Sequence, residues 1–83
     1  MIRLRYFASL RETLGVADEE LELPAGVTDV AALTRWLRGR GGDWNSALAD
    51  RRLHVAINQV IAGPETGIAD GDEIAWFPPV TGG

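Results

Sequence analysis

Between residues 28 and 38 the chain carries its one sustained helical stripe. Val30, Leu33 and Leu37 recur at helical spacing, and Trp36 widens the stripe. Thr28 stands where an N-cap is needed. Asp29 in the first turn and Arg35 and Arg38 near the far end have the signs the helix dipole favours. Gly39-Arg40-Gly41-Gly42 ends the helix and reads as a mobile loop. The other long apolar runs alternate like strands. One amphipathic helix can cover one face of one sheet and no more. A chain of 83 residues is therefore one domain around one small core.

The strands fall on both sides of that helix. In the run from Ile2 to Ala8, Ile2, Leu4 and Tyr6 share one face, and Arg3, Arg5 and Phe7 share the other. Ser9-Leu10-Arg11-Glu12 fits a capping box with Ser9 as N-cap, which predicts a short helix from Leu10 to Leu14 stopped by Gly15. Glu20-Leu21-Glu22-Leu23 alternates again and is broken by Pro24-Ala25-Gly26. The first two strands pair antiparallel, with the short helix in their connection. Trp44 to Leu48 forms a helical turn over the core edge. Leu53 to Asn58 is a third strand with Val55 and Ile57 on one face. Asn58-Gln59 turns the chain into a short fourth strand, Val60-Ile61, and Gly63 to Gly67 is a loop. Asp70-Gly71-Asp72 launches the last strand, Glu73 to Phe77. This order predicts an α+β fold of β-grasp type: a mixed sheet of about five strands, one main helix and a short helix. Strands one and five lie adjacent, parallel and central, since only a long crossover can join a parallel pair. The domain spans 1–77, and 78–83 is an extended tail.

Composition removes whole classes of function. Net charge is −4, which argues against a nucleic-acid binder and is compatible with a basic protein partner. No segment approaches the roughly 20 apolar residues of a membrane span, and the opening residues lack a signal peptide's apolar run. There is no cysteine, which removes disulfides, thiolate metal sites and a cysteine nucleophile, and fits a reducing cytoplasm. His54 is the only histidine, with no partner for a metal site or a catalytic triad. Asp70-Gly71-Asp72 has too few oxygen ligands for calcium. The glycines at 39–42 follow a helix instead of leading into one, the wrong order for cradling phosphate. All eight basic residues are arginine. Coding bias explains that plainly; the functional reading is that no lysine amine can attack an activated tail in a neighbouring copy. With no catalytic constellation, the domain reads as acted upon rather than acting.

The tail is where chemistry can happen. Pro78 and Pro79 fix φ, cannot donate to a ladder, and end the strand at Phe77. Val80 and Thr81 favour an extended path, and Gly82 and Gly83 add no width. Six extended residues reach roughly 20 Å. A thin tip bearing a carboxylate suits an enzyme that must surround it, exclude water and convert it to an acyl-adenylate. The plain alternative is a frayed terminus. Phe7 and Phe77 stand on the sheet face the helix cannot cover, near the tail's root, and Ile61 is counted with them. Exposed apolar groups so placed mark a partner surface, against a background in which scattered surface apolars are common.

Several stretches together resemble the small subunit of molybdopterin synthase, a family of ubiquitin-like sulfur carriers. They are Phe7-Ala8 and Arg11-Glu12 within the first twelve residues, Val55-Ala56-Ile57-Asn58-Gln59, Asp70-Gly71-Asp72-Glu73, and above all Phe77-Pro78-Pro79-Val80-Thr81-Gly82-Gly83. The resemblance implies a cytoplasmic protein that binds no cofactor itself. A ubiquitin-activating-like adenylyltransferase would adenylate the Gly83 carboxylate with ATP, and a sulfur donor enzyme would convert it to a thiocarboxylate. The tail would enter the large subunit, within a heterotetramer, and pass sulfur to cyclic pyranopterin monophosphate. On that reading the active site lies on the large subunit and this chain is a sulfur-donating, non-catalytic one. Phe7, Ile61, Phe77, Pro78, Pro79, Val80 and Thr81 would meet the partner, and Gly82 and Gly83 would carry the reacting end. A sulfur carrier for thiamine thiazole synthesis, a ubiquitin-type modifier, and an interaction module with an inert tail are the alternatives.

Overall fold

The computed structural model describes residues 1–79; Val80, Thr81, Gly82 and Gly83 lie outside the described residues. Five strands form one sheet: β1 (Ile2–Tyr6), β2 (Asp18–Leu21), β3 (His54–Ile57), β4 (Val60–Ala62) and β5 (Glu73–Phe77). Their spatial order is β2-β1-β5-β3-β4. β1 and β5 run parallel at the centre, paired from Arg3 with Glu73 to Tyr6 with Trp76, and the other neighbours are antiparallel. The three helices are α1 (Ser9–Leu14), α2 (Val30–Arg38) and α3 (Asp43–Leu48).

The predicted sheet and the core under α2 are both present. Leu33, Leu37, Leu4 and Ile74 are wholly buried, and Ile2, Tyr6, Val30 and Trp76 nearly so. Tyr6 stacks on Trp76 with ring centres 5.7 Å apart, and Trp44 of α3 meets the Tyr6 ring edge-on at 5.3 Å. Val55 and Ile57 pack against the same core from β3. Asn58 and Gln59 both take positive φ, 50° and 70°, as the two-residue turn between β3 and β4 requires. The Asn58 amide also donates to Asp72 and accepts from the Glu73 N–H, both at 3.0 Å, tying this hairpin to the turn before β5.

Five local expectations are corrected. Asp29, not Thr28, caps α2: its backbone is extended and its carboxylate accepts from the Ala32 N–H at 2.8 Å. Ser9 already belongs to α1, and Ala8 holds the cap position at φ 53° with no side-chain cap. The Phe7 N–H donates to Trp76 and the Phe7 carbonyl accepts from Leu10, so the turn starts one residue earlier than the capping box implied. β2 begins at Asp18 rather than Glu20, because the register with β1 pairs Arg5 with Asp18 and Ile2 with Leu21. Trp36 does not widen the buried stripe; it is 42% exposed. The glycine-rich turn is pinned rather than left loose: the Arg40 guanidinium forks onto both Glu19 oxygens at 3.0 and 2.9 Å and lies 4.4 Å from the Trp44 ring centre.

Candidate functional site

The uncovered face of the sheet is built by alternation and by register together. One row crosses four strands: Arg5 beside Ala75, Ala75 beside Ala56, Ala56 beside Ile61. The next row, one step toward the end of β5, sets Phe77 between Phe7 and His54. His54 is the paired neighbour of Phe77 and stacks on it, ring centres 5.5 Å apart. Phe7 lies just past Tyr6, the last residue of β1 in register, and its N–H donates to the Trp76 carbonyl at 3.2 Å. Small residues at 56 and 75 leave the larger rings and Ile61 standing proud. Phe7 is 37% exposed and Ile61 68% exposed. On the wet side of the patch Arg5 approaches Glu73 at 3.6 Å and also lies 5.0 Å from the Phe7 ring centre. Arg3 pairs with Glu20 at 2.9 Å.

β5 ends at Phe77, and Pro78 and Pro79 carry the chain off the sheet, half-buried. They border a surface hollow together with Ala8, Ser9, Asp50 and Arg52. Since β5 is the central strand, the chain leaves the sheet from its middle and beside the Phe7–Phe77–His54 row. Phe7, Phe77 and Ile61 are thus brought onto one face, and Pro78 and Pro79 adjoin it. Val80, Thr81, Gly82 and Gly83 fall outside the described residues. His54 and Arg52 were missed as neighbours of this region. The signal for His54 was available: with Val55 and Ile57 on the core side, His54 must share the Phe77 face.

On the covered face, the edge of the core holds a polar cluster of Tyr6, Glu19 and Arg40. Glu19 sits opposite Leu4 on β1, so it faces α2 and α3 rather than the open side. It accepts from the Tyr6 hydroxyl at 3.1 Å as well as from Arg40. The Arg40 hydrogen bonds hold the Glu19 carboxyl below its usual range, against the opposing effect of partial burial. Burial pushes the Tyr6 phenol far above its usual range, with the Glu19 charge adding to the effect.

A five-stranded mixed sheet gripping one main helix, with its other face open and the chain end issuing from the central strand, defines a ubiquitin-like β-grasp domain. This chain belongs to the ThiS family, whose model matches residues 4–83. It is 39% identical over 83 residues to the molybdopterin synthase sulfur carrier subunit of Escherichia coli (strain K12), covering 100% of both chains. Among solved structures it is similar to SAMP1 of Haloferax volcanii, with a TM-score of 0.79, 27% identity, and 99% and 98% of the two chains covered. A complex of subunits 1 and 2 of the molybdopterin-converting factor of Helicobacter pylori 26695 contains the same fold, at a TM-score of 0.67 and 23% identity, with 99% and 97% covered.

Proposed function

We propose that this chain is a sulfur carrier and the small subunit of a molybdopterin synthase. The observation that carries this reading is the position of β5. It is central in the sheet, so the Pro78-Pro79 stalk starts beside an uncovered apolar row. A partner seated on Phe7, Phe77 and Ile61 can therefore receive the tail without the domain changing shape. The end-to-end similarity to a named sulfur carrier subunit supports the chemistry, and the Helicobacter pylori complex of two molybdopterin-converting factor subunits supports a large-subunit partner.

On this reading the domain spans 1–77, and the tail reaches into the large subunit, where the active site lies. Val80 and Thr81 line the approach, Gly82 lets the tip thread, and Gly83 carries the reacting carbonyl. An adenylyltransferase uses ATP to convert the Gly83 carboxylate to an acyl-adenylate, expelling pyrophosphate. A sulfur donor then displaces AMP and leaves a thiocarboxylate. This chain itself binds no cofactor in the scheme. Transfer to the pterin substrate regenerates the carboxylate for another round.

Intact mass of the protein isolated from cells tests the reading. The loaded form is heavier by about 16 Da, one oxygen replaced by sulfur. It should disappear when the activating enzyme is deleted and reappear with enzyme, ATP and a sulfur source. Co-purification with a synthase large subunit separates the pterin route from a thiazole carrier. Stable attachment of the chain to lysines of other proteins, with no thiocarboxylate, points instead to a modifier.

A further inference from the structure

The covered side of the sheet carries a second surface. Between α2 and the β3–β4 hairpin runs a groove whose floor is apolar: Val30, Ala31, Leu48, Leu53, Val55 and Ala62. The Trp76 indole closes its base, its N–H donating to the Thr34 hydroxyl at 3.3 Å. The loop at Gly63 and Pro64 bounds one end, held by the Ala31 N–H donating to the Pro64 carbonyl at 2.9 Å.

The rim is basic in an acidic protein. Of the eight arginines, Arg3, Arg5, Arg40 and Arg52 form ion pairs with carboxylates. Among the described residues Arg11, Arg35, Arg38 and Arg51 have none, and three of those four, Arg35, Arg38 and Arg51, line this groove. Among the described residues the one carboxylate on its border, Asp50, is engaged by Arg52 through bonds of 2.9, 3.1 and 3.0 Å. The groove thus gathers uncompensated positive charge while the whole chain carries −4. Guanidinium forks above an apolar floor match a chain bearing carboxylates at its edges and aliphatic side chains beneath. A bare phosphate would leave the floor unused.

We propose that this groove docks an acidic, partly apolar peptide segment of a partner protein. It lies on the covered side of the sheet and meets the open-face row only at His54 on its border, so its occupant can remain bound while Phe7 and Ile61 are engaged elsewhere. The proposal goes beyond the carrier function and does not depend on it.

The test uses the full-length isotope-labelled protein and a synthetic ten-residue peptide alternating Asp or Glu with Leu or Ile (about 33–36 Å if fully extended, enough to overspan the roughly 13.5 Å of α2). Amide shifts should change at Ala31, Thr34, Arg35, Val55 and Ala62 and not at Arg3, Arg5 or Phe7. The double variant Arg35→Glu with Arg51→Glu should bind at least about tenfold more weakly, since two attractions become repulsions. Neither side chain makes a hydrogen bond or ion pair among the described residues, so the melting temperature should fall by only a few degrees, the effect of an acid placed in the last turn of α2. Deleting Gly83 should leave peptide binding unchanged, which separates this outcome from any failure of sulfur loading. Shifts confined to the open face, or equal affinity in the double variant, would overturn the proposal. So would the same shifts with inorganic phosphate or polyglutamate, which would make the groove a simple anion site.

Discussion

At the scale of single residues, the choice between Thr28 and Asp29 decides how α2 starts. Both side chains can cap, and they are adjacent, so no pattern in the sequence selects one. The backbone selects it: Asp29 has φ −146° and its carboxylate reaches the Ala32 N–H, so α2 begins at Val30. Asp29→Ala should lower unfolding free energy by about 1 kcal/mol in urea, and Thr28→Ala by much less. The uncovered aromatic is the complementary case. Phe7→Ala should weaken binding to a large subunit by about 1 kcal/mol or more in calorimetry. It should destabilise the isolated domain less than Leu33→Ala, for which roughly 2–5 kcal/mol is expected. Unfolding by Phe7→Ala alone would invert the assignment of the faces. These faces were legible because alternation in β1 and β5 is strict. Ala8 was not: nothing in Phe7-Ala8-Ser9 announces a non-glycine residue at φ 53°, a conformation imposed by bonds on both sides of it.

At the scale of elements, the boundaries of β2 and the fate of Arg40 belong together. Asp18 and Glu19 are poor strand formers, so alternation pointed to Glu20 as the start. The strand extends to Asp18 because β1 is there to pair with it and Glu19 gains Arg40 and Tyr6. These are contacts between distant parts of the chain, and local periodicity carries no trace of them. For the same reason Trp36, read into the buried stripe, instead flanks Arg40, 5.3 Å from its guanidinium. Arg40→Ala removes a forked ion pair and its ring contacts, yet water reaches the cluster; about 1 kcal/mol of stability should be lost at neutral pH. Arg40→Lys should restore only part, lacking the planar fork. The sign with pH follows from Glu19. Its folded pKa is lowered, so the folded state binds fewer protons than the unfolded one in that range. Its contribution is complete above the ordinary carboxylate pKa of about 4.3 and fades as pH falls through the lower folded value. Urea melts of the two proteins should therefore converge as the buffer is taken below that range.

At the scale of the whole molecule, strand order and the single covering helix were the most legible features, because one helical stripe among five strand segments leaves few arrangements. The groove under Arg35 and Arg38 was the least legible, since its walls come from α2 and from a hairpin more than twenty residues along. The tail offers a prediction at this scale. Deleting Gly83 withdraws the carboxylate by roughly 3.3–3.6 Å. Misplacement of ~1 Å can cost ~10²-fold in rate, so thiocarboxylate formation should fall to background. Gly82→Val should do likewise by widening the tip. Neither change should move the melting temperature, because the core closes over α2 and β5 ends at Phe77.

The central place of β5 also has a mechanical consequence. A partner that grips the tail and pulls does not peel an edge strand, whose bonds would open one after another like a zip. β5 is held on both sides, by β1 and by β3, along its length. Force along the tail runs parallel to the strand and loads both ladders in shear, so many bonds must yield together. On the proposed carrier reading, this is what keeps the domain folded when a partner draws on its tail.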